Sequence, residues 1–190
     1  YDKILLMKNE FDFVAIGDCV TDAFIRLKDA SVHCNVDKEN CEICMRFGDK
    51  IPYEFVEVLA GVGNSPNAAT AAARLGLKTA LVTDLGDDRI AEDTVATFKA
   101  NNIDTSFINL HEGMKSNYHY VLWFEDDRTI LVRHFDYPYK FPDIGNPKWI
   151  YLSSLGEQSL PYHREISEYL KSHPNVKLAF QPGTFQMKLG

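Results

Sequence analysis

Residues 59–69, Leu-Ala-Gly-Val-Gly-Asn-Ser-Pro-Asn-Ala-Ala, constrain the fold more than any other stretch of the chain. Before them, Tyr53–Leu59 alternates apolar and polar side chains, the period of a strand with one face solvated or laid over a ligand. After them, Pro66–Leu75 carries Pro in its first turn, Asn64 or Ser65 as N-cap, and Gly76 just past its end. Those are the marks of a helix, and its alanines allow close packing on a sheet. Glycine lets the backbone approach a ligand, and the N–H groups at a helix start attract oxygen-rich or anionic groups. Asn67 falls on the first helical turn, where its amide can donate to and accept from hydroxyls, which suits a polyol. A dinucleotide-binding fingerprint fits poorly, because Pro66 stands where the third glycine belongs. Taken by itself, the loop is equally well a plain connecting turn.

The other segments set the loop in an α/β frame. Phe11–Ile16 is a compact apolar run, read as a buried first strand, and Ala23–Leu27 and Cys44–Phe47 are short strand candidates. Lys78–Val82 is the next strand, followed by a helix over Arg89–Ala100 that starts at Asp87-Asp88 and closes at Asn101-Asn102. Thr105–Ile108 is a strand, and Tyr118–Phe124 with Thr129–Phe135 form a hairpin across Glu125–Arg128. A strand over Trp149–Leu152, an amphipathic helix over Leu160–Lys171 and a strand over Val176–Phe180 complete the series. This alternation predicts a three-layer α/β/α domain on a mostly parallel sheet, with a small separate β layer from the early strands.

Composition narrows the partners. With 20 basic and 27 acidic residues the net charge is −7, and neither Lys nor Arg gathers into a run. Nucleic acid and anionic membrane surfaces are therefore not expected partners. No stretch reaches the roughly 18 apolar residues of a membrane span, and Tyr1–Met7 is too short for the apolar core of a signal peptide. Met7 reads as a start, with Tyr1–Leu6 left from upstream sequence. Four cysteines without a secretory signal predict free thiols in a reducing cytoplasm. Cys34, Cys41 and Cys44, with His33, are the alternative zinc set. A strand through Cys41–Cys44 would put residues three apart on opposite faces, against that alternative.

The order of features resembles the ribokinase-like (PfkB) kinase family over essentially the whole chain. Gly17-Asp18 with Asp22 is similar to the family's first strand end. Gly63, Asn67, Ala69, Leu75-Gly76 and Gly86 fit its first signature. Leu85–Asp88, Asn102-Ile103-Asp104 and Asp127–Leu131 look like its continuation. Val62, Ser65 and Gln181 depart from the pattern, at places that usually hold a small residue, Gly/Ala/Pro and an acidic residue.

The resemblance implies a ribokinase-like fold over 1–190, incomplete on its C-terminal side, with lid strands drawn from about 23–59 and 118–135. It implies transfer of the ATP γ-phosphoryl group to a sugar or nucleoside hydroxyl, which depends on alignment, charge stabilisation and a base. The family's Gly-Ala-Gly-Asp motif, which supplies that base and an anion hole, is absent from these residues. The chain is thus expected to be the substrate-binding half, inactive alone, with ATP and Mg bound by a C-terminal half. The acceptor-binding candidates are Asp22, Gly63, Asn64, Asn67 and Glu157. Asp22 would accept from hydroxyls, Gly63 would offer backbone, and Glu157 would approach from a strand's carboxyl end. Ordinary turn-capping and helix-start roles are the alternatives for Asp22 and Asn67. Lys115-Ser116-Asn117 is a further polar stretch placed to touch substrate, whereas His119, His134 and His163 read as structural or exposed. A homodimer through the lid strands is a further expectation. A non-catalytic sugar- or nucleoside-binding module is the competing functional class.

Overall fold

A computed structural model of the chain describes residues 11–35 and 40–189. The expected start at Met7 and Asp37–Glu39 of the polar loop lie outside the described residues. In chain order the strands and helices are β1 (Phe13–Ile16), β2 (Val20–Leu27), β3 (Ser31–His33), β4 (Glu42–Cys44), β5 (Tyr53–Val62), α1 (Asn64–Arg74) and β6 (Thr79–Gly86). There follow α2 (Arg89–Ala100), β7 (Ile108–His111), β8 (Tyr118–Phe124), β9 (Asp127–Leu131), β10 (Trp149–Leu152), α3 (Leu160–Ser172), β11 (Lys177–Phe180) and α4 (Thr184–Leu189). They divide into two compact units. The first comprises the described parts of Tyr1–Val20, Ala60–Asn117 and His134–Gly190, and the second comprises those of Thr21–Leu59 and Tyr118–Arg133.

The first unit is a three-layer α/β/α sandwich. Its five-stranded sheet runs β11-β10-β1-β6-β7, and every pairing in it is parallel. Alternation along the strands feeds two cores. Val14, Ile16, Ala80 and Val82 pack with Ile150, Leu152, Tyr162 and Ile166 on the α3 side. Ala15, Leu81 and Leu85 pack with Ala69, Ala91 and Phe98 on the side of α1 and α2. Strand β6 is buried along its whole length, which is why it reads as a continuous apolar run. Asp88 caps α2 by accepting from the Ala91 N–H, as the Asp87-Asp88 pair predicts.

The second unit holds a four-stranded sheet in the order β5-β2-β8-β9 and a separate two-stranded hairpin, β3-β4. Strands β2 and β8 are parallel, and β8 and β9 form an antiparallel hairpin. The turn of that hairpin is Glu125-Asp126, shorter than the four residues expected, because Asp127 already pairs with Phe124. Strand β5 is exposed at every residue from Tyr53 to Leu59, where alternation predicts one face solvated or laid over a ligand and the other buried.

Three expected elements are displaced. The strand predicted over Cys44–Phe47 lies instead at Glu42–Cys44, paired with Ser31–His33. Gly48, at φ 77°, turns the chain where that strand would have continued. The strand predicted over Thr105–Ile108 starts at Ile108, since Asp104 ties Ser106 into a turn through bonds to its N–H and hydroxyl. Helix α1 begins at Asn64, with Gly63 as N-cap and no capping side chain, because Asn64 and Ser65 are both bonded elsewhere.

Free thiols are also overturned at two positions. The β3-β4 register pairs His33 with Glu42, so the next residues, Cys34 and Cys41, meet across the hairpin, and a disulfide joins them. Cys19 is buried and Cys44 partly buried, both as thiols. The thiol argument for a reducing compartment therefore falls away. Among the described residues no group of His, Cys, Asp and Glu is arranged to hold a metal, and no helix is long and apolar enough to cross a membrane.

Candidate functional site

In the first unit the strand order reverses between β1 and β10. From β1 the sheet grows through β6 and β7 on one side and through β10 and β11 on the other. In parallel α/β sheets such a switch opens a crevice outside the carboxyl ends of the two strands, where ligands bind. Here those ends are Gly17-Asp18 after β1 and Ser153–Gly156 after β10.

The glycine loop is tied to both ends. Ser65 donates its hydroxyl to the Ile16 carbonyl at 2.6 Å and lies 2.7 Å from the Ser153 hydroxyl. Asn64 donates its amide to Ser154 Oγ at 3.0 Å. The fit depends on missing side chains. A Cβ at Gly17 would come 2.6 Å from Ser65 Oγ, and one at Gly63, already at φ 122°, would come 3.0 Å from the Asp18 carbonyl. Ser65, a departure from the resembled pattern, is thus a buried polar group with two partners, one of them another serine. Asn67 is exposed on the first turn of α1, and Glu157 is exposed at the start of a single 3-10 turn, Glu157–Ser159.

Asp18 is buried at the centre of this arrangement. Both its oxygens accept from the Tyr139 hydroxyl, at 2.9 and 3.1 Å, and the same hydroxyl accepts from the Gly156 N–H at 2.9 Å. Tyr139 thereby bridges the ends of β1 and β10. Burial pushes the Asp18 carboxyl up to about 7, with the Asp84 charge adding to the rise and the Tyr139 bond opposing it. Burial likewise raises the Tyr139 phenol. His134 Nδ1 lies 4.0 Å from Asp18. At the end of β6, buried Asp84 meets His111 Nε2 at 2.7 Å and the Asn109 amide at 3.3 Å, and the His111 ring stacks on Tyr137. Burial raises Asp84 too, against those two bonds.

Neither Asp84 nor Tyr139 is among the residues singled out from the sequence. Asp84 carries a usable signal: a carboxylate inside the apolar run Thr79–Gly86 needs a partner, and His111 and Asn109 supply it. Tyr139 lies in the irregular stretch 132–148, where no periodicity points to it. Ser116 and Asn117 are buried structural residues. Ser116 donates to Asp88, and Asn117 joins the Cys19 carbonyl to the Phe135 N–H. His163 Nδ1 meets the Ser159 carbonyl at 2.8 Å, a structural role as expected.

In the second unit, the parallel register of β2 and β8 sets Asp22 beside His119. Asp22 Oδ1 lies 3.2 Å from His119 Nδ1, and that oxygen is buried without a hydrogen-bond partner among the described residues. A buried carboxylate oxygen in that state favours an added donor such as a hydroxyl.

Residues 34–174 match the profile of the pfkB family carbohydrate kinases, well over half of the chain. The chain belongs to that family. Its fold is shared with the Arabidopsis thaliana ribokinase complexed with ribose and ATP (TM-score 0.70, 13% identity, 90% of this chain and 53% of that one). It is likewise similar to the Halothermothrix orenii fructokinase (0.65, 19%, 89% and 56%) and the Methanocaldococcus jannaschii nucleoside kinase (0.66, 12%, 93% and 54%). The chain therefore spans about half the length of these solved structures. No curated protein sequence matches it.

Proposed function

We propose that this pfkB-family chain is the acceptor-binding part of a kinase that moves the ATP γ-phosphoryl group to a hydroxyl of a sugar or nucleoside. The observation that carries the reading is the glycine loop, bonded through Asn64 and Ser65 to the ends of β10 and β1 at the switch point of a family sheet. Asp22, Gly63, Asn64, Asn67 and Glu157 are the proposed acceptor ligands. Asp22 would accept hydrogen bonds from hydroxyls at an oxygen that has no donor among the described residues, Gly63 would offer backbone, and Asn64 and Asn67 would contribute amides at the uncapped start of α1. Glu157 would add a carboxylate outside β10.

ATP and magnesium are assigned to parts of a complete kinase other than these residues, and the 190-residue chain alone is inactive in this reading. The strands of the second unit are proposed as a lid, and their exposed apolar side chains as the surface through which two copies pair.

The test is calorimetry with ribose, fructose, adenosine and a sugar acid, on the chain and on a complete kinase that contains it. In the complete kinase Asp22→Ala and Asn67→Ala should each weaken acceptor binding about tenfold or more, the scale of hydrogen bonds to a charged group and an amide. Unchanged affinity in both variants would remove the assigned ligands. Turnover of ATP by the 190 residues above a control without protein would remove the claim of inactivity. Binding without phosphoryl transfer in the complete protein would favour the non-catalytic module.

A further inference from the structure

The β3-β4 hairpin is the least supported regular element of the second unit. It has three residue pairs, Ser31 with Cys44, Val32 with Ile43 and His33 with Glu42, and it joins no larger sheet. A lone two-stranded hairpin of that length is marginal in water. Its side chains add little: Ser31, Val32, His33 and Glu42 are exposed. The ion pairs of Arg46 with Asp29 and Asp49 lie in solvent, where such pairs contribute least. Among the described residues the one covalent cross-link on the hairpin is the Cys34–Cys41 disulfide, one step beyond the His33–Glu42 pair.

Both bonded cysteines are exposed, so a thiolate from solution has access to either sulfur. Cys44 stands opposite Ser31 at the far end of the ladder. It is three residues from Cys41, an odd step that places it on the other face of the strand. It is therefore not placed to exchange with the bond directly, and opening needs an outside reductant. The hairpin also has a neighbour to act on. Cys41, Glu42 and Ile43 form one wall of a cavity of about 330 Å³, whose other wall includes Leu122, Phe124 and Arg128 of the β8-β9 hairpin.

We propose that Cys34–Cys41 is a thiol–disulfide switch that orders the β3-β4 hairpin, and with it one wall of this cavity, when closed, and releases both when an external dithiol opens it. The chemistry balances as ordinary exchange. A thiolate of the dithiol attacks one of the two sulfurs, the S–S bond breaks, and the electron pair stays on the other cysteine, which takes up a proton. The second thiol of the dithiol then attacks the mixed disulfide. The first cysteine leaves as a thiolate and is protonated in turn, and the dithiol departs as its own disulfide. Two electrons and two protons pass from the dithiol to Cys34 and Cys41, and an oxidised dithiol reverses the sequence. Nothing in this proposal depends on the acceptor-site reading, since none of the proposed acceptor ligands is among its residues.

The experiment uses the 190-residue chain purified without reductant, divided in two, with one half treated with dithiothreitol. Alkylation with iodoacetamide and peptide mass spectrometry should find Cys34 and Cys41 linked in the untreated half and each carrying one label in the treated half. Hydrogen exchange at the amides of Ser31–His33 and Glu42–Cys44 should quicken roughly tenfold or more on reduction, the scale expected when a short loop loses its cross-link, with β1 and β6 unchanged. Cys34→Ser/Cys41→Ser should show the fast exchange without reductant, and circular dichroism checks that the rest of the fold persists. Ready labelling of both cysteines in untreated, air-oxidised protein would overturn the switch. So would exchange that does not respond to reduction, or one zinc ion bound per reduced chain at these thiols, which would make the hairpin a metal site.

Discussion

The two sheets of this chain solve the problem of exposed strands in opposite ways. In the first unit β6 is buried on both faces, and Phe98 of α2 is fully buried against the same core. In the second unit β5 exposes Tyr53, Phe55, Val56 and Val58, and the edge strand β9 exposes Ile130 and Leu131. The first sheet owes its stability to helices laid on each face, which parallel strands require. The second leaves apolar area uncovered, which in a monomer marks a surface made for a partner or a ligand. The contrast is between a strand closed in on both faces and edge strands that keep apolar side chains in solvent.

The comparison breaks first at Phe98. Phe98→Ala should cost about 3–5 kcal/mol in urea denaturation, since it empties a packed core. A loss under 1 kcal/mol would show the first unit to be no better packed than the second.

Asp18 gives the next largest effect, with the opposite sign. Its carboxyl titrates near 3.8 when the chain is unfolded and near 7 when folded, so the native state binds the extra proton. Its contribution is neutral below about pH 4, turns destabilising as pH rises towards 7, and is constant above that. Asp18→Asn keeps an acceptor for Tyr139 and should raise stability at pH 8 by an amount on the order of a few kcal/mol, with no gain at pH 4. Equal effects at the two pH values would show that the carboxyl is not held neutral.

Ser65→Ala should cost about 1–3 kcal/mol, because it leaves Ser153 buried without its partner. Ser65→Ala/Ser153→Ala should recover part of that loss, and a double-mutant cycle reads the coupling. Phe55→Ala, at 44% exposure, should change the denaturation midpoint by less than about 1 kcal/mol. A larger loss would mean that β5 is covered in solution.

How far the sequence could be read follows the same division. Continuous apolar runs at Phe11–Ile16 and Lys78–Val82, the helix start at Asn64 and the Asp88 cap are local signals, and the three-layer fold was legible from them. The loop Gly61–Asn67 was legible as a strand-to-helix turn because its glycines sit between two periodicities. The β3-β4 hairpin was not, since three-residue strands carry no period, and its disulfide follows from a register that only pairing reveals. The Asp18–Tyr139 and Ser65–Ser153 contacts join residues 121 and 88 positions apart. No spacing rule reaches that far.

The parallel pairing of Phe13 with Trp149 sets a condition on how the chain is made. Strand β1 is the centre of its sheet, yet one of its two neighbours lies 136 residues downstream (149 − 13). At a synthesis rate of about 5–20 residues per second, one side of β1 goes unpaired for on the order of ten seconds after it leaves the ribosome. During that interval Phe13–Ile16 is an apolar edge open to other nascent chains. The central strand of this sheet therefore closes late, only after β10 has been made.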